Sequence, residues 1–406
     1  MHNTGVRKYL PRLLESRLKK AAGQFPVILL TGPRQTGKST LLRRLFPGHA
    51  YATLDDPRQL ALAKKDPRLF LENLGAASVI DEIQNAPGLL AYIKMAVDGS
   101  RAPGRFILTG SQIFPLMAGL SESLAGRAAL FELLGFSWEE LTKAPFQEAR
   151  DCFRQIFKGF YPDPAVHGAT PSDYYGSYLQ TYLERDIRQV KAVHDLSTFQ
   201  SFLELIAARA GSLLNLSEVS KECGISHSNA RQWLSLLEGT RIVYLLRPYF
   251  RNVSKRVVKH PKLYFTDTGL LSYLLKYPDA ETLRAGPMAG AIFENMVVIE
   301  FLKEKLNRRG LFELYFFRDS NGNEADLVLD WGRSLTPIEV KASRTLKADH
   351  VRGLSRVAKV LGSKCAFLLS QASEAAALEP GILGRPWWRL REIAASGSCA
   401  ASRAGL

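Results

Sequence analysis

At residues 26–40 the chain reads PVILLTGPRQTGKST. An uninterrupted apolar run leads into a glycine-rich turn, and the helical pattern STLLRRLF follows, so the predicted order is strand, loop and helix. The turn fits the phosphate-loop pattern GxxxxGK[ST], in which glycines let backbone N–H groups turn inward and surround phosphates. We therefore predict that ATP binds at Gly32, Pro33, Arg34, Gln35, Thr36, Gly37, Lys38, Ser39 and Thr40.

Two side chains of this P-loop have predicted roles in the chemistry. Lys38 is expected to contact the β- and γ-phosphates, and the Ser39 hydroxyl is expected to bind Mg²⁺. The helix that follows presents the positive end of its dipole to the same phosphates.

Two further apolar strands are predicted downstream, at residues 77–82 and 105–111. Because a helical pattern lies between them, the expected fold class is α/β with a doubly wound parallel sheet. We assign about residues 1–135 to this P-loop domain of the AAA+ ATPase type.

Acidic and polar side chains close these two strands. Asp81 and Glu82 occupy the place of a Walker B motif, where Asp81 holds Mg²⁺ and Glu82 acts as general base on the attacking water. Thr109 and Ser111 end the next strand and are predicted to contact the γ-phosphate or the water.

Arg127 lies in the segment SLAGR at residues 123–127. It is predicted to be an arginine finger that acts on the nucleotide of a neighbouring subunit, and this predicts a homo-oligomer. The alternative is a surface arginine at a helix end, which needs no neighbour.

Five segments, taken in order, carry a resemblance to a known family. They are GPRQTGKST, VIDEIQ, LTGSQ, ESLAGRA and SYLQTYLERDIR. As an ordered set they resemble a large prokaryotic family of AAA-type P-loop ATPases that has a C-terminal restriction-endonuclease-like domain of unknown function. The resemblance extends over about residues 7–390. It implies a P-loop ATPase and does not define a substrate.

The middle of the chain is predicted to be mainly helical. We interpret residues 136–195 as a helical lid or connector of the ATPase. Over residues 196–260, three helical segments precede the strand-like run RIVYLLRPYF. Three helices followed by a β-hairpin are typical of a winged helix-turn-helix.

Residues 241–262 contain seven basic side chains and no acid, with aromatic residues between them. A basic wing beside a recognition helix suits contacts to DNA phosphates. The predicted DNA-binding residues are Arg231, Arg251, Lys255, Arg256 and Lys259. The alternative is a winged helix that contacts protein or serves as an ATPase lid.

The last predicted domain, residues 261–392, contains the order E…D…ExK of the PD-(D/E)xK nuclease core. Its members are Glu294 on a helix, Asp326 on a strand, and Glu339 with Lys341 on the next strand. Residues two apart on a strand share a face, so Glu339 and Lys341 are expected to point together. Asp326 and Glu339 are predicted to bind Mg²⁺, and Lys341 to stabilise developing charge or orient water.

Charge and hydropathy restrict the partners and the location. The formal net charge of +15 over 406 residues favours a polyanionic partner, and double-stranded DNA is the predicted one. The N-terminus has no apolar signal segment, and no apolar run approaches the roughly 18 residues of a membrane helix. A cytoplasmic protein without a membrane partner is therefore expected, and residues 393–406 are predicted to be a disordered tail.

Three functional hypotheses follow from the sequence. The first is an ATP-hydrolysing DNA-associated ATPase with ATP and Mg²⁺ as cofactors, whose C-terminal domain is a candidate metal-dependent nuclease. The second is a DNA-binding module switched by ATP, in which the nuclease-like domain is inactive. The third is a protein-remodelling ATPase whose turnover ignores DNA.

Overall fold

The computed structural model describes residues 9–111, 124–142, 152–182, 196–250, 260–346 and 348–396. Its first layer is a five-stranded sheet with the order β2-β3-β4-β1-β5, in which every neighbouring pair is parallel. These strands are β1 (Val27–Thr31), β2 (Ala50–Thr53), β3 (Ser78–Asp81), β4 (Phe106–Gly110) and β5 (Ala128–Glu132). The predicted parallel α/β sheet is confirmed.

Helices cover both faces of this sheet. They are α1 (Glu15–Ala22), α2 (Lys38–Leu45), α3 (Pro57–Lys65), α4 (Pro67–Leu74) and α5 (Leu89–Gly99). Two separate apolar clusters, one containing Val27 and Leu29 and the other Ile28 and Leu30, pack against strand β1. Because both faces are covered, the central strand reads as a continuous apolar run rather than an alternating one.

A helical region follows the sheet. Its helices are α6 (Trp138–Leu141), α7 (Cys152–Lys158), α8 (Pro162–Val166), α9 (Pro171–Tyr182), α10 (Leu196–Ala207), α11 (Leu216–Glu222) and α12 (His227–Gly239). The antiparallel strands β6 (Val243–Leu246) and β7 (Lys262–Phe265) come next, and Leu213 forms an antiparallel bridge to Lys262.

The C-terminal sheet has six strands in the order β12-β13-β11-β10-β9-β8 within the described residues. They are β8 (Glu313–Arg318), β9 (Glu324–Asp330), β10 (Leu335–Lys341), β11 (Ala366–Ser370), β12 (Ala376–Glu379) and β13 (Ile382–Pro386). The strand pairs β10–β11 and β11–β13 are parallel, and the remaining pairs are antiparallel. The helices of this part are α13 (Thr268–Leu274), α14 (Ala280–Ala285), α15 (Ala289–Arg308), α16 (Ala348–Leu361) and α17 (Leu390–Ser396).

One apolar cluster joins the regions after the first sheet, apart from two smaller clusters that contain Leu354 and Val357 of the C-terminal region. It extends from Leu134 to Ala394 and includes side chains of the helical region, the hairpin and the C-terminal sheet. Helix α15 joins these parts, because it packs against α7, strand β7 and strand β10. The middle and C-terminal regions are therefore built around one shared core.

Two predicted boundaries need correction. The boundary between residues 260 and 261 separates β7 from its hydrogen-bonded partner β6, so the hairpin extends to Phe265. The predicted tail begins too early, because α17 continues to Ser396 and buries Ile393 and Ala394. Residues 397–406 lie outside the described residues.

None of the helices in the described ranges combines the length and the apolar character that crossing a bilayer requires.

Candidate functional site

The P-loop connects β1 to α2 at the carboxyl edge of the first sheet. Gly32 has φ +140°, and a Cβ atom there would lie 2.1 Å from the Leu133 carbonyl oxygen, so a larger residue does not fit. Gly37 has φ +89° immediately before the helix. The Lys38 ammonium donates to the carbonyl oxygens of Gly32 at 2.9 Å and Pro33 at 2.7 Å, which places it inside the turn.

Asp81 lies opposite the P-loop, at the end of β3. The Ser39 hydroxyl donates to Asp81 Oδ2 at 2.7 Å, and the Tyr51 hydroxyl donates to the same oxygen at 2.6 Å. Thr109 donates to the other carboxylate oxygen of Asp81. Burial, with the hydrogen bond to Asp81 added, raises the pKa of Tyr51 to about 12, so its proton stays on the phenol. No sequence pattern marks Tyr51 as part of this site.

Glu82 follows in a left-handed conformation with φ +58°, which is uncommon for a residue with a side chain. The Thr109 hydroxyl oxygen accepts its backbone N–H at 3.1 Å, and its carboxylate accepts from Ser111 at 3.3 Å and from Gln84. Thr109 and Ser111 thus hold the two acids. In the described residues neither lines the nucleotide cavity, whereas Glu82 does.

A cavity of about 590 Å³ lies over the P-loop. Its floor is formed by residues 34–40 and Glu82, and one wall comes from Tyr9, Leu10 and Arg12. The opposite wall belongs to the helical region. It consists of Pro162, Asp163, Val166, His167, Tyr178 and Thr181. The lid expected from residues 136–195 therefore reaches the nucleotide cavity through α8 and α9.

Arg12 fixes the P-loop to the segment that follows β5. Its guanidinium is buried and donates to the carbonyl oxygens of Thr36 at 3.0 Å, Leu134 at 2.9 Å and Gly135 at 3.1 Å. Its Nε atom lies 3.1 Å from Glu140 Oε1. An ion pair of this kind is costly to break, because removing one partner leaves the other charge buried. No sequence pattern marks Arg12.

The second wall is held by Asp267, the residue that caps α13. Asp267 accepts from the Phe160 backbone N–H at 2.7 Å, from the Tyr175 hydroxyl at 2.7 Å and from the Leu270 backbone N–H at 2.9 Å. Burial, and the Asp267 charge after it, raises the pKa of Tyr175 well above its ordinary value. Helix α9, which carries Tyr178 and Thr181 into the cavity, is thereby fixed to the end of strand β7.

Arg127 lies away from the nucleotide of its own chain. It precedes β5, at the amino edge of the sheet, and its Nε atom is 2.6 Å from Asp98 Oδ1. The P-loop lies at the opposite, carboxyl edge. A finger role for Arg127 therefore requires a second subunit and stays a prediction.

Of the predicted DNA-binding residues, Arg231 is described and is exposed on α12. The same helix exposes His227, Ser228, Gln232 and Ser235, while its buried face packs Trp233 edge-to-face against the rings of two phenylalanines. Four more predicted contacts lie outside the described residues, namely Arg251, Lys255, Arg256 and Lys259.

Two basic residues of the predicted wing serve internal contacts instead. Arg241 pairs with Glu132 at the end of β5, with its Nε 2.7 Å from Oε1, and so joins the hairpin to the ATPase sheet. Lys262 is only 4% exposed and points into the C-terminal domain. Lys262 is therefore not placed to contact a DNA phosphate.

The predicted nuclease residues do converge. Asp326 is buried on β9, and its Oδ2 accepts from the Val340 backbone N–H at 2.9 Å. On β10, the Lys341 ammonium lies 2.5 Å from Glu339 Oε1. Burial and the neighbouring Asp326 charge raise the pKa of Glu339 to about 8, although Lys341 opposes the shift. The same two causes raise the pKa of Glu294 to about 7.

Lys262 enters this cluster from strand β7. Its ammonium lies 2.8 Å from Glu324 Oε1, 3.2 Å from Asp326 Oδ1 and 3.4 Å from Glu294 Oε1. Burial lowers the pKa of Lys262, but its three carboxylate neighbours outweigh burial and hold that pKa above its ordinary value. The group is therefore a permanent cation among the carboxylates.

The two predicted metal sites differ in their fit to Mg²⁺. Ser39 and Asp81 offer a hydroxyl and a carboxylate oxygen 2.7 Å apart beside the P-loop, a donor set that suits Mg²⁺ bound with phosphates. In the C-terminal cluster, the Asp326 oxygens already accept from Lys262 and from Val340. Among the described residues no group of three or more His, Cys, Asp or Glu side chains is arranged to hold a metal ion. The Mg²⁺ site predicted at Asp326 and Glu339 is not formed in this arrangement.

Comparison with known proteins agrees with the nucleotide site. Residues 24–142 match the family model described as AAA domain. Together with the P-loop and the two acids of β3, this match defines the class: the chain is an AAA-type ATPase that binds ATP. Two domains of unknown function match the rest, DUF8612 over residues 149–281 and DUF4143 over residues 289–384.

Two relatives establish the family to which this chain belongs. An uncharacterized protein of Mycobacterium tuberculosis and one of Mycobacterium bovis are each 33% identical over 334 residues, which is 81% of this chain and 73% of the relative. The chain belongs to the family of these mycobacterial proteins.

Solved structures give a weaker likeness. A Walker-type ATPase of Pyrococcus abyssi is 18% identical, with a TM-score of 0.45 over 66% of this chain and 96% of that one. AMPPCP-bound DnaA from Aquifex aeolicus is 13% identical, with a TM-score of 0.27 over 56% of this chain and 86% of that one. At these scores the likeness carries no argument about function.

Proposed function

We propose that this ATPase works on DNA, with ATP hydrolysis at the P-loop controlling a winged helix-turn-helix in the middle of the chain. The single observation that carries the proposal is the exposed polar face of α12 beside the β6–β7 hairpin. The chain order is a helix, a bridge at Leu213, two further helices and then two antiparallel strands, and this order supports a winged helix.

Within the nucleotide site, we assign roles from position. Lys38 binds the β- and γ-phosphates from inside the P-loop. Ser39 and Asp81 would hold Mg²⁺, which supplies charge neutralisation at the phosphates when it is bound. Glu82 is the general base, because it directly follows β3 and lines the cavity. Thr109 positions both acids through its hydroxyl group.

Two variants test these roles. Lys38→Ala should abolish binding of a fluorescent ATP analogue, because the phosphates lose their central cation. Glu82→Gln should bind ATP with unchanged affinity and turn it over at least about 100-fold more slowly, since general-base catalysis contributes about 10²–10⁴-fold. Wild-type turnover by Glu82→Gln would show that the base lies elsewhere.

The DNA proposal rests on the surface of α12. Arg231 and its exposed neighbours are polar or basic, and Trp233 anchors the opposite face against Phe199, with ring centroids 5.1 Å apart, and Phe202, with ring centroids 5.4 Å apart. A rigidly packed helix with a polar outer face can lie in a DNA groove without exposing apolar surface. The basic residues Arg251, Lys255, Arg256 and Lys259 would supply phosphate contacts.

A binding assay with matched arginines tests this surface. Arg231→Ala should weaken binding to duplex DNA several-fold and reduce the salt slope by about 1 if the contact is to phosphate. Arg68→Ala removes an exposed arginine from α4 of the ATPase domain and serves as control. ATP turnover should rise with added duplex DNA at low salt and less at high salt. Turnover that ignores DNA at both salt concentrations would favour a protein-remodelling ATPase.

For the C-terminal domain we propose a nuclease-like fold that does not cleave DNA in this arrangement. The convergence of Glu294, Asp326, Glu339 and Lys341 supports the restriction-endonuclease-like assignment. The buried Lys262 ammonium favours the inactive alternative, because it occupies the carboxylates. Incubation of DNA with Mg²⁺ or Mn²⁺ should give equal, negligible cleavage by wild type and by Lys341→Ala. Cleavage by wild type that Lys341→Ala abolishes would establish an active nuclease.

A further inference from the structure

Lys262 occupies a site whose shape and charge match an ammonium group. A lysine ammonium has three N–H bonds that can donate. Three carboxylates, those of Glu294, Glu324 and Asp326, lie within 2.8–3.4 Å of the Lys262 nitrogen. The lysine side chain is 4% exposed. The Phe316 ring, 5.9 Å from the ammonium, adds a favourable aromatic face.

The neighbouring donors fix the carboxylates around this cation. Tyr264 donates to Glu294 Oε1 at 2.7 Å, and the Val340 N–H donates to Asp326 Oδ2 at 2.9 Å. Metal–oxygen distances are about 2.0–2.1 Å for Mg²⁺ and about 2.3–2.6 Å for Ca²⁺, shorter than the nitrogen–oxygen distances here. The cluster therefore has the size of an ammonium site.

Removing the cation would leave the buried Asp326 carboxylate and the largely buried Glu294 carboxylate without the ammonium between them, beside the partly exposed Glu324. Burying unpaired carboxylates is strongly unfavourable, so either a cation occupies this position or a carboxylate takes up a proton. Oxygen ligands alone, in a carboxylate-rich site, favour a hard divalent ion.

We infer that the Lys262 ammonium is a built-in cation that takes the place of a divalent metal in this cluster, and that a divalent ion binds there once the ammonium is removed. Strand β7 supplies the cation from outside the C-terminal sheet. The inference concerns this cluster alone and does not depend on DNA binding or on ATP turnover.

Mn²⁺ binding to the full-length protein without nucleotide tests the inference, with free Mn²⁺ measured by electron paramagnetic resonance. Lys262→Ala should gain one Mn²⁺ site per chain. The Kd of this site should be at least about tenfold lower than that of any Asp326-dependent site in wild type, a difference in binding free energy of about 1.4 kcal/mol. Mn²⁺ should also raise the melting temperature of Lys262→Ala and leave that of wild type unchanged.

Two controls locate the site. Adding Asp326→Asn to Lys262→Ala should remove the gained ion, which separates it from any ion at Ser39 and Asp81. Lys276→Ala removes a lysine from an exposed ion pair with Glu204, 3.1 Å long, and should gain no ion. A folded Lys262→Ala that binds no additional Mn²⁺ overturns the inference.

Wild type alone supplies a second test if Lys262→Ala fails to fold. Mn²⁺ titrations of wild type and Asp326→Asn should then give the same stoichiometry, because Lys262 already occupies the cluster. Loss of one ion in Asp326→Asn would mean that wild type binds metal there, and it would refute the inference. ATP turnover by wild type should be the same whichever result the titrations give, so the test is independent of the proposed ATPase and DNA roles.

Discussion

Replacing Arg12 by methionine should both loosen the P-loop and destabilise the protein. The change keeps much of the apolar stem and removes the guanidinium that joins Thr36 to Leu134, Gly135 and Glu140. Breaking a buried ion pair by deleting one partner costs about 3–5 kcal/mol, because the remaining charge stays buried. We expect the free energy of unfolding to fall by about that amount.

The same substitution should weaken ATP binding. The Thr36 carbonyl is part of the P-loop and accepts from Arg12 at 3.0 Å. A hydrogen bond from a charged donor contributes about 1.5–3 kcal/mol, so if the loop shape depends on it, the Kd for ATP rises about 10- to 100-fold. Titration with a fluorescent ATP analogue measures this, and urea unfolding followed by circular dichroism measures stability.

A double-mutant cycle separates the ion pair from the other contacts of Arg12. Arg12→Met combined with Glu140→Gln should cost about 2–3 kcal/mol less than the sum of the single variants, because the double variant buries no unpaired charge. Arg68→Met, which removes an exposed arginine from a pair with Glu72, should leave both ATP affinity and the unfolding midpoint unchanged. Wild-type ATP affinity and stability in Arg12→Met would refute the reasoning.

Three further substitutions test other parts of the fold. Gly32→Ala should abolish ATP binding, because the new Cβ would lie 2.1 Å from the Leu133 carbonyl oxygen; unchanged affinity for the ATP analogue would contradict this. Tyr175→Phe loses the 2.7 Å hydrogen bond to Asp267 and should destabilise by about 1–3 kcal/mol in urea unfolding. The pKa of Glu339 is about 8 in the folded protein and 4.5 in its ordinary state. Between these two pH values the folded state holds a proton that the unfolded chain has lost, so the free energy of unfolding should fall as pH rises from 4.5 to 8. Glu339→Gln should reduce that fall, measured by urea unfolding at the two ends of the range, and an equal fall in both proteins would argue against the shifted carboxyl.

The nucleotide site could be predicted from sequence because its residues follow local rules. The P-loop is one continuous segment, and Asp81 and Thr109 end neighbouring parallel strands, which bring them to one edge. A strand end is readable from an apolar run, so the convergence of these residues required no knowledge of the tertiary structure.

Arg12 and Tyr51 could not be found in the same way. Each reaches the site from a segment with no motif of its own, and its role depends on which chain segments pack together. The same is true of Tyr178, which forms part of a wall of the cavity because Asp267 fixes α9 in place. Contacts of this kind depend on how distant segments of the chain pack together. Hydrophobic periodicity does not predict that packing.

The C-terminal cluster shows where pattern reasoning stops. The order of Glu294, Asp326 and Glu339 correctly predicted that acids would converge, since strands β9 and β10 are antiparallel neighbours and α15 packs on β10. Whether such acids hold a metal or an ammonium depends on a residue elsewhere in the chain. Lys262 lies in a basic run that reads as a DNA-binding wing, yet the β6–β7 pairing puts its side chain inside the domain. If the buried lysine takes the place of a metal, as we infer, the same E…D…ExK pattern is compatible with opposite chemistry, and the position of a single cation decides between them.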